Sequence, residues 1–249
     1  MKPNIKFLRQ PKAFWASVRS LSQEIGYSKK EKIIVPNHAE MAAAFLKLNL
    51  NPDHITKDNT PTELAALLHD YFLYRANVLN EFVEPRLMDA ERAQSVFNEL
   101  KNQLNPACVI PMNKQKNEKK AEAYLTGIVN MLIEANANGF PCNYDPRELT
   151  TITMDGAPLI TLARRVDGAF PTVVNPIAIW EIKEYYYTTT FGSRVADGVY
   201  ETLLDGMEIE ELREHEAIDV KHYLMLDARY TWWDCGKSYL CIIIDMLHM

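Results

Sequence analysis

Three ionisable side chains sit where a buried strand should end. Residues 177–180 read Ile-Ala-Ile-Trp, an apolar run that leads straight into Glu181, Ile182 and Lys183. Asp167 lies fourteen residues before Glu181, at the end of another strand-like stretch. A carboxylate or ammonium in such a place costs several kcal/mol unless it is paired, hydrated or bound to a ligand. If residues 167–181 form a hairpin, its midpoint is Val174, inside the turn-like sequence Thr172-Val173-Val174-Asn175-Pro176, and Asp167 faces Glu181. Opposed residues have Cβ atoms about 5 Å apart, so two carboxylates there repel unless a cation lies between them. Glu181 and Lys183 share a strand face, while Ile182 points away and offers its main-chain carbonyl as a third oxygen ligand. That oxygen set on a partly open site suits Mg2+, which keeps several waters. Bland readings stand beside this one. Asp167-Gly168 is also a hairpin-turn dipeptide, and Glu-x-Lys is equally the solvated end of a strand with an ion pair along one face.

The elements that must position these residues follow from hydrophobic period and stop signals. The first hundred residues read as helical. Asn37 and Glu40 form a capping box before a short helix with Met41, Phe45 and Leu46 on one face. In Thr60-Pro61-Thr62-Glu63, Thr60 reads as an N-cap with proline at the first helical position. The helix it opens carries Leu64, Leu67, Leu68, Tyr71, Phe72, Val78, Leu79 and Phe82, and Pro85 stops it. Ala93, Val96, Phe97, Leu100 and Leu104 mark a further helix before Pro106. The polar, basic stretch 111–120, with Lys114, Lys116, Lys119 and Lys120, reads as a solvated linker and sets the expected boundary between domains 1–110 and 111–249. Beyond it the pattern predicts a helix from 118 to about 136, ended by Asn138-Gly139. A hairpin of 149–154 and 158–165 turns at Asp155-Gly156, and the strand 177–183 follows. Val195, Val199, Leu203 and Met207 mark a helix, followed by a strand over 222–227 and a helix over 238–249. The result is an α/β arrangement.

With Asp167, Glu181 and Lys183 in this order, the chain resembles the PD-(D/E)xK nuclease superfamily, the fold of many restriction endonucleases. The element order of helix, three-strand meander, helix and strand is similar too. The resemblance covers little more than half the chain, and Val166 stands where the family has a nominal proline before the Asp. It implies a restriction-endonuclease-like core, a mixed β-sheet flanked by helices, preceded by an all-helical N-terminal domain for recognition or dimerisation. It also implies an activity: a Mg2+-dependent endodeoxyribonuclease that hydrolyses DNA phosphodiester bonds, of the type II restriction or phage-defence kind. Asp167, Glu181 and Lys183 would be catalytic, with the metal on Asp167, Glu181 and the Ile182 carbonyl. Many members add a glutamate from the first core helix, and Glu122 is its counterpart, with Glu118 a turn earlier as the weaker option. Glu122 precedes Leu125, Val129 and Ile133 by three, seven and eleven positions, at the head of an apolar stripe. The implied partners are double-stranded DNA, a second copy of the chain, since cutting two strands with one site per chain favours a homodimer, and a cognate methyltransferase. Two alternatives keep the fold: a catalytically inactive binding or scaffold module, and a nuclease acting on RNA or single strands.

Arg164, Arg165, Ser193, Arg194, Arg229 and Lys237 are the expected nucleic-acid contacts, with the helix start at Ser193 offering backbone N–H groups to a phosphate. Residues 185–190 read as a polar groove lining, and Lys29, Lys30 and Lys32 as a backbone contact. Trp232 and Trp233 read as core. The net charge of −6 gives no whole-chain basic signal, so such contacts would be local. The four cysteines lack zinc spacing and read as free thiols of a reducing cytosol. The histidines show no ligand spacing, and no P-loop, dinucleotide turn or Gly-x-Ser-x-Gly elbow occurs. With no secretory signal and no apolar run long enough to span a bilayer, a cytoplasmic protein is expected. The apolar ending, residues 242–249, must pack into a core or a dimer interface, or continue into a longer chain.

Overall fold

A computed structural model describes residues 2–8, 10–115, 118–187 and 192–248; for 114–115 and 118–120 it describes the backbone alone. The chain forms two compact units, Met1–Leu87 with Tyr230–Met249, and Met88–Arg229. The division therefore falls after Leu87 rather than at the expected 110/111, and the chain re-enters the first unit at Tyr230.

The first unit is mostly helical. It comprises α1 (Lys12–Ile25), a ladder of β1 (Ser28–Lys29) and β2 (Lys32–Ile33), α2 (His38–Lys47), a ladder of β3 (Thr56–Lys57) and β4 (Thr60–Pro61), α3 (Glu63–Asn77), and the helix Lys237–Met246. Both ladders are two residues long, so the all-helical expectation holds only in its coarser form. The Asn37–Glu40 capping box forms as expected. The cap of α3 is Thr62, whose hydroxyl accepts from Ala65 N, because Thr60 and Pro61 are taken up in β4. Past Asn77 the helix widens into a π turn, Val78–Val83, and a 3-10 turn, Glu84–Arg86, that accommodates Pro85. Phe14, Trp15, Val18, Leu21, Met41, Phe45, Leu68, Tyr71 and Phe72 form the core. The C-terminal helix belongs to this unit: buried Asp245 accepts from Tyr71 Oη at 2.5 Å and from Arg75 at 3.1 Å, and His248 Nε2 accepts from Asn4 N at 2.9 Å. Ile244 and His248 of the apolar ending are buried in this unit. Trp232 and Trp233 are buried as expected, and Lys29, Lys30 and Lys32 are exposed around the first ladder.

The second unit is mixed α/β. It runs through α4 (Ala90–Leu104), a hairpin of β5 (Met112–Gln115) and β6 (Glu118–Glu122), α5 (Tyr124–Asn136), β7 (Asn143–Tyr144), a hairpin of β8 (Thr151–Met154) and β9 (Ala157–Thr161), β10 (Gly168–Phe170), β11 (Ala178–Glu184), α6 (Ser193–Glu216) and β12 (Lys221–Asp227). The four-stranded sheet has the order β12-β11-β10-β7. Its β7–β10 and β10–β11 pairs are antiparallel, while β11 and β12 are parallel, joined by the crossover helix α6. Ile152, Leu162, Val166, Ala169, Ile179 and Val220 form one cluster with Ile209 and Leu212 of α6. Ala93, Phe97, Tyr124, Ile128 and Met131 join α4 to α5. No described helix is long and apolar enough to cross a membrane.

Residues 118–122 are a strand, not the helical turn the spacing predicts, and α5 starts at Tyr124. The reason is a cap brought from far along the chain. Ala123, the N-cap residue, has no side chain to cap with. Glu184 at the end of β11 supplies the carboxylate instead, accepting from Tyr124 N at 3.0 Å, Thr126 N at 3.2 Å and Asn113 Nδ2 at 2.7 Å. A carboxylate at a helix N-terminus satisfies orphan N–H groups and complements the helix dipole.

Candidate functional site

β10 and β11 pair Gly168 with Trp180, Ala169 with Ile179 and Phe170 with Ala178, the register expected for a hairpin centred on Val174. Asp167 lies just outside that register, close enough to Glu181 for the two charges to repel. Gly168 is therefore a strand residue, not a turn, and the indole of Trp180 lies across it: a Cβ on Gly168 would sit 2.1 Å from the ring. The ladder ends there. Asp167 N still donates to Trp180 O, at 3.1 Å, and Ile182 N donates to the Asp167 carboxylate at 2.7 Å. Alternation along the strand turns the Ile182 carbonyl toward that same side.

Glu181 is fully buried, and Lys183 Nζ lies 2.9 Å from its Oε2. The two side chains share a face, as their spacing requires. Gly198 on α6 gives the lysine stem room, since a Cβ there would meet Lys183 Cδ at 3.2 Å and Tyr185 Oη at 3.0 Å. Arg164, in the segment before β10, reaches the same carboxylate, with Nη1 2.9 Å from Glu181 Oε1 and Nη2 donating to Oε2 at 3.2 Å. Glu181 Oε1 nevertheless accepts no hydrogen bond, because the Nη1 contact is ionic and off the donor direction. Arg164 also donates to Asp205 at 2.6 Å and approaches Glu201 at 3.4 Å, and Lys183 reaches Glu201 at 3.2 Å. Asp205 is fully buried, and its Oδ1 has no hydrogen-bond partner. His222 of β12 pairs in register with Ile179, and its Nε2 is buried without a hydrogen bond.

Four carboxylates (Asp167, Glu181, Glu201 and Asp205) thus gather around two cations, Arg164 and Lys183. Burial, and then the charge of Glu181, hold Asp167 above the usual carboxylate range, against the Ile182 N–H and Lys183. Burial first, and Glu181 with it, push Asp205 up to about 6, although Arg164 pulls the other way. Burial disfavours the Lys183 ammonium, but Glu181 outweighs it and keeps the pKa above the ordinary lysine value. Arg164 is likewise held charged by Glu181 and Asp205 against the cost of burial. Burial lowers His222. An excess of buried negative charge favours a bound cation.

Among the described residues no group of three His, Cys, Asp or Glu side chains is placed to hold a metal ion. The implied Mg2+ set does not need one: it is two opposed carboxylates and a backbone carbonyl, all hard oxygen donors, and Glu181 Oε1 is short of a hydrogen bond. Those residues fit the ion. Glu122 does not belong with them. It lies on β6 opposite Met112, and its Oε1 is 3.8 Å from Lys101. For Glu118 only the backbone is described, and it too lies on β6.

The expected nucleic-acid contacts are dispersed. Arg164 is drawn into the cluster as a counter-ion. Arg165 is exposed, as are Ser193 and Arg194 at the start of α6, where the Arg194 carbonyl accepts from Tyr185 Oη at 3.0 Å. Arg229 is partly buried, and its backbone N–H donates to Met88 O. Lys237 belongs to the first unit, where its buried ammonium donates to the Trp233 carbonyl at 2.7 Å and lies over that indole, so it is not available to a ligand. The side chains of Lys114, Lys116, Lys119 and Lys120, and the loop at Thr188, Thr189 and Thr190, lie outside the described residues.

Sequence reasoning missed Glu201, Asp205 and His222. Its helical stripe ran through Leu203 and Met207, whereas α6 buries Val195, Gly198, Val199, Thr202, Asp205, Ile209 and Leu212, and Met207 is exposed. The available signal was Gly198, Glu201 and Asp205 spaced three and four apart, one small residue and two acids on one helix face.

Fold and site define a class: a mixed α/β protein with a buried carboxylate and cation cluster where an antiparallel strand pair diverges beneath a crossover helix. Residues 88–249 match a domain of unknown function, DUF7687, and the chain belongs to that family. Its first residue is also the first of the second compact unit. Residues 1–82 match another domain of unknown function, DUF7690. No curated protein and no solved structure matches.

Proposed function

We propose that the second unit is a PD-(D/E)xK-type, Mg2+-dependent endonuclease. One observation carries the reading: Asp167 lies just before β10, close enough to Glu181 for their charges to repel, and Lys183, two residues further along the strand face of Glu181, is 2.9 Å from it. The topology supports it, since α5, the meander β7-β10-β11, the crossover α6 and the parallel β12 follow the order of that superfamily's core. The β8–β9 hairpin is an insertion between the first two strands of the meander.

Held by Asp167, Glu181 and the Ile182 carbonyl, Mg2+ would make bound water a stronger nucleophile and offset charge on the phosphoryl oxygens. The chain's own residues do the rest. The end of the β10–β11 ladder brings Asp167 beside Glu181, and Ile182 N–H orients the Asp167 carboxylate. Lys183, kept protonated by Glu181, orients the water and donates to a phosphate oxygen; its raised pKa favours this over the role of general base. Water adds to phosphorus as one ester P–O bond breaks, giving a phosphomonoester end and a hydroxyl end. The substrate is double-stranded DNA, cut by a homodimer of restriction or phage-defence type.

A second reading, a catalytically inactive binding module, is favoured by one feature: Arg164 and Lys183 already occupy both oxygens of Glu181. Plasmid cleavage in Mg2+ against EDTA separates the two. The nuclease reading expects Mg2+-dependent nicking or linearisation that falls at least about a hundredfold in Lys183→Ala and Asp167→Ala. Cleavage that persists in both variants removes the site assignment. A folded wild type that neither binds nor cuts DNA favours the binding module.

A further inference from the structure

Arg164 is the one cluster cation the proposed chemistry does not use, and its placement is specific. Its guanidinium lies between two fully buried carboxylates, 2.9 Å from Glu181 Oε1 and 2.6 Å from Asp205 Oδ2. The Glu181 oxygen it faces is the one that accepts no hydrogen bond, so the contact is electrostatic and badly aimed. The contact to Asp205 is a short, well-formed charge-assisted hydrogen bond. Asp205 therefore holds the arginine most closely, while Glu181 takes a longer hydrogen bond, from Nη2 to Oε2 at 3.2 Å, beside that contact. The segment is tethered as well, since Ala163 N donates to Glu208 one turn beyond Asp205 on α6.

We propose that Asp205 is a positioning residue that works through Arg164. By drawing the guanidinium toward α6, it sets how strongly Arg164 competes with a divalent cation for Glu181. This rests on the metal-site reading above. Arg164 and the metal are rival counter-charges for one carboxylate, so removing the arginine strengthens metal binding. Removing the charge of Asp205 while keeping its shape releases the guanidinium toward Glu181 and weakens metal binding. Two substitutions in one ion pair thus act in opposite directions. A purely structural pair, whose loss loosens the site from either side, would not behave in that way.

The test is Mn2+ binding to the full chain by isothermal titration calorimetry, with circular dichroism to verify folding. Arg164→Met is expected to tighten binding by about tenfold or more, because a full charge at contact distance acts through a medium far less screening than water. Asp205→Asn is expected to weaken it several-fold. The charge-balanced double variant Arg164→Met/Asp205→Asn separates mediation from direct field. If Asp205 works through Arg164, adding Asp205→Asn to Arg164→Met changes the Kd little; if Asp205 attracts the cation directly, it weakens binding as much as in the wild type, which overturns the proposal. Arg164→Met leaves two buried carboxylates unbalanced. Should it fail to fold, Asp205→Asn and the double variant still decide: unchanged or tighter binding in Asp205→Asn, or a double variant no tighter than Asp205→Asn, sinks the idea. Equal binding by wild type and Arg164→Met overturns the competition and leaves the metal site standing. No Mn2+ binding by the wild type or the double variant removes the metal site itself.

Discussion

The indole of Trp180 lies across the backbone of Gly168, its partner in the β10–β11 ladder, leaving no room for a side chain. This contact lies at the last pair of the ladder, where Asp167 and Glu181 are the next residues of the two strands. Glycine is required here by proximity, not by a turn.

Gly168→Ala should therefore damage both fold and site. Inserting a methyl group into a packed core costs about 1–3 kcal/mol. Urea unfolding should show that loss, and DNA cleavage should fall with it. Pairing it with Trp180→Leu, which clears the space, should recover part of the stability. Full wild-type stability in the single variant would mean that the indole moves aside freely.

Gly198→Ala separates stability from chemistry. In a helix interior alanine is favoured over glycine by about 1 kcal/mol, so the melting temperature should hold or rise. The new methyl would press on the Lys183 stem at 3.2 Å and on Tyr185 Oη at 3.0 Å. Cleavage should fall about tenfold as the ammonium is displaced, since small misplacements of reacting groups are costly. Unchanged cleavage would show that Lys183 tolerates the shift.

Glu122→Gln should do almost nothing. Its ion pair with Lys101 spans 3.8 Å and is partly exposed; such surface pairs contribute about 0–1 kcal/mol. Cleavage and Mn2+ affinity should match the wild type. A large loss of either would return Glu122 to the metal site.

The first unit should lose stability on mild acidification through His248. Burial lowers the pKa of this imidazole below its ordinary 6.5, against the opposing pull of the Ile244 carbonyl and Asp245. Its Nε2 accepts from Asn4 N and its Nδ1 contacts Ile244 O, so the neutral ring is the form that fits. The unfolded chain binds the proton more readily. The stabilisation is therefore complete above the unfolded value and is lost as pH falls from there through the lower folded one. Thermal melts across that range should show the decline, and His248→Gln should flatten it. An unaltered slope in the variant would place the acid sensitivity elsewhere.

Much of the second unit was legible in the chain because its signals are local. The Asp155-Gly156 turn, the apolar run before Glu181 and the symmetry about Val174 each lie within one element or one hairpin. The spacing alone therefore determined the register about Val174 and the shared face of Glu181 and Lys183. Period-two geometry and a short connection are enough to set both. What only the tertiary structure decided are the partners that approach from outside the hairpin. Glu184 caps α5 from sixty residues away and leaves 118–122 as a strand, so Glu122 does not join the proposed metal ligands. The face that α6 turns inward follows from Arg164, which makes burial of Asp205 tolerable; hydrophobic period alone would have placed that acid in solvent. A buried charge is decided by its counter-charge, and where two such groups meet depends on how the elements between them pack, which no single segment encodes.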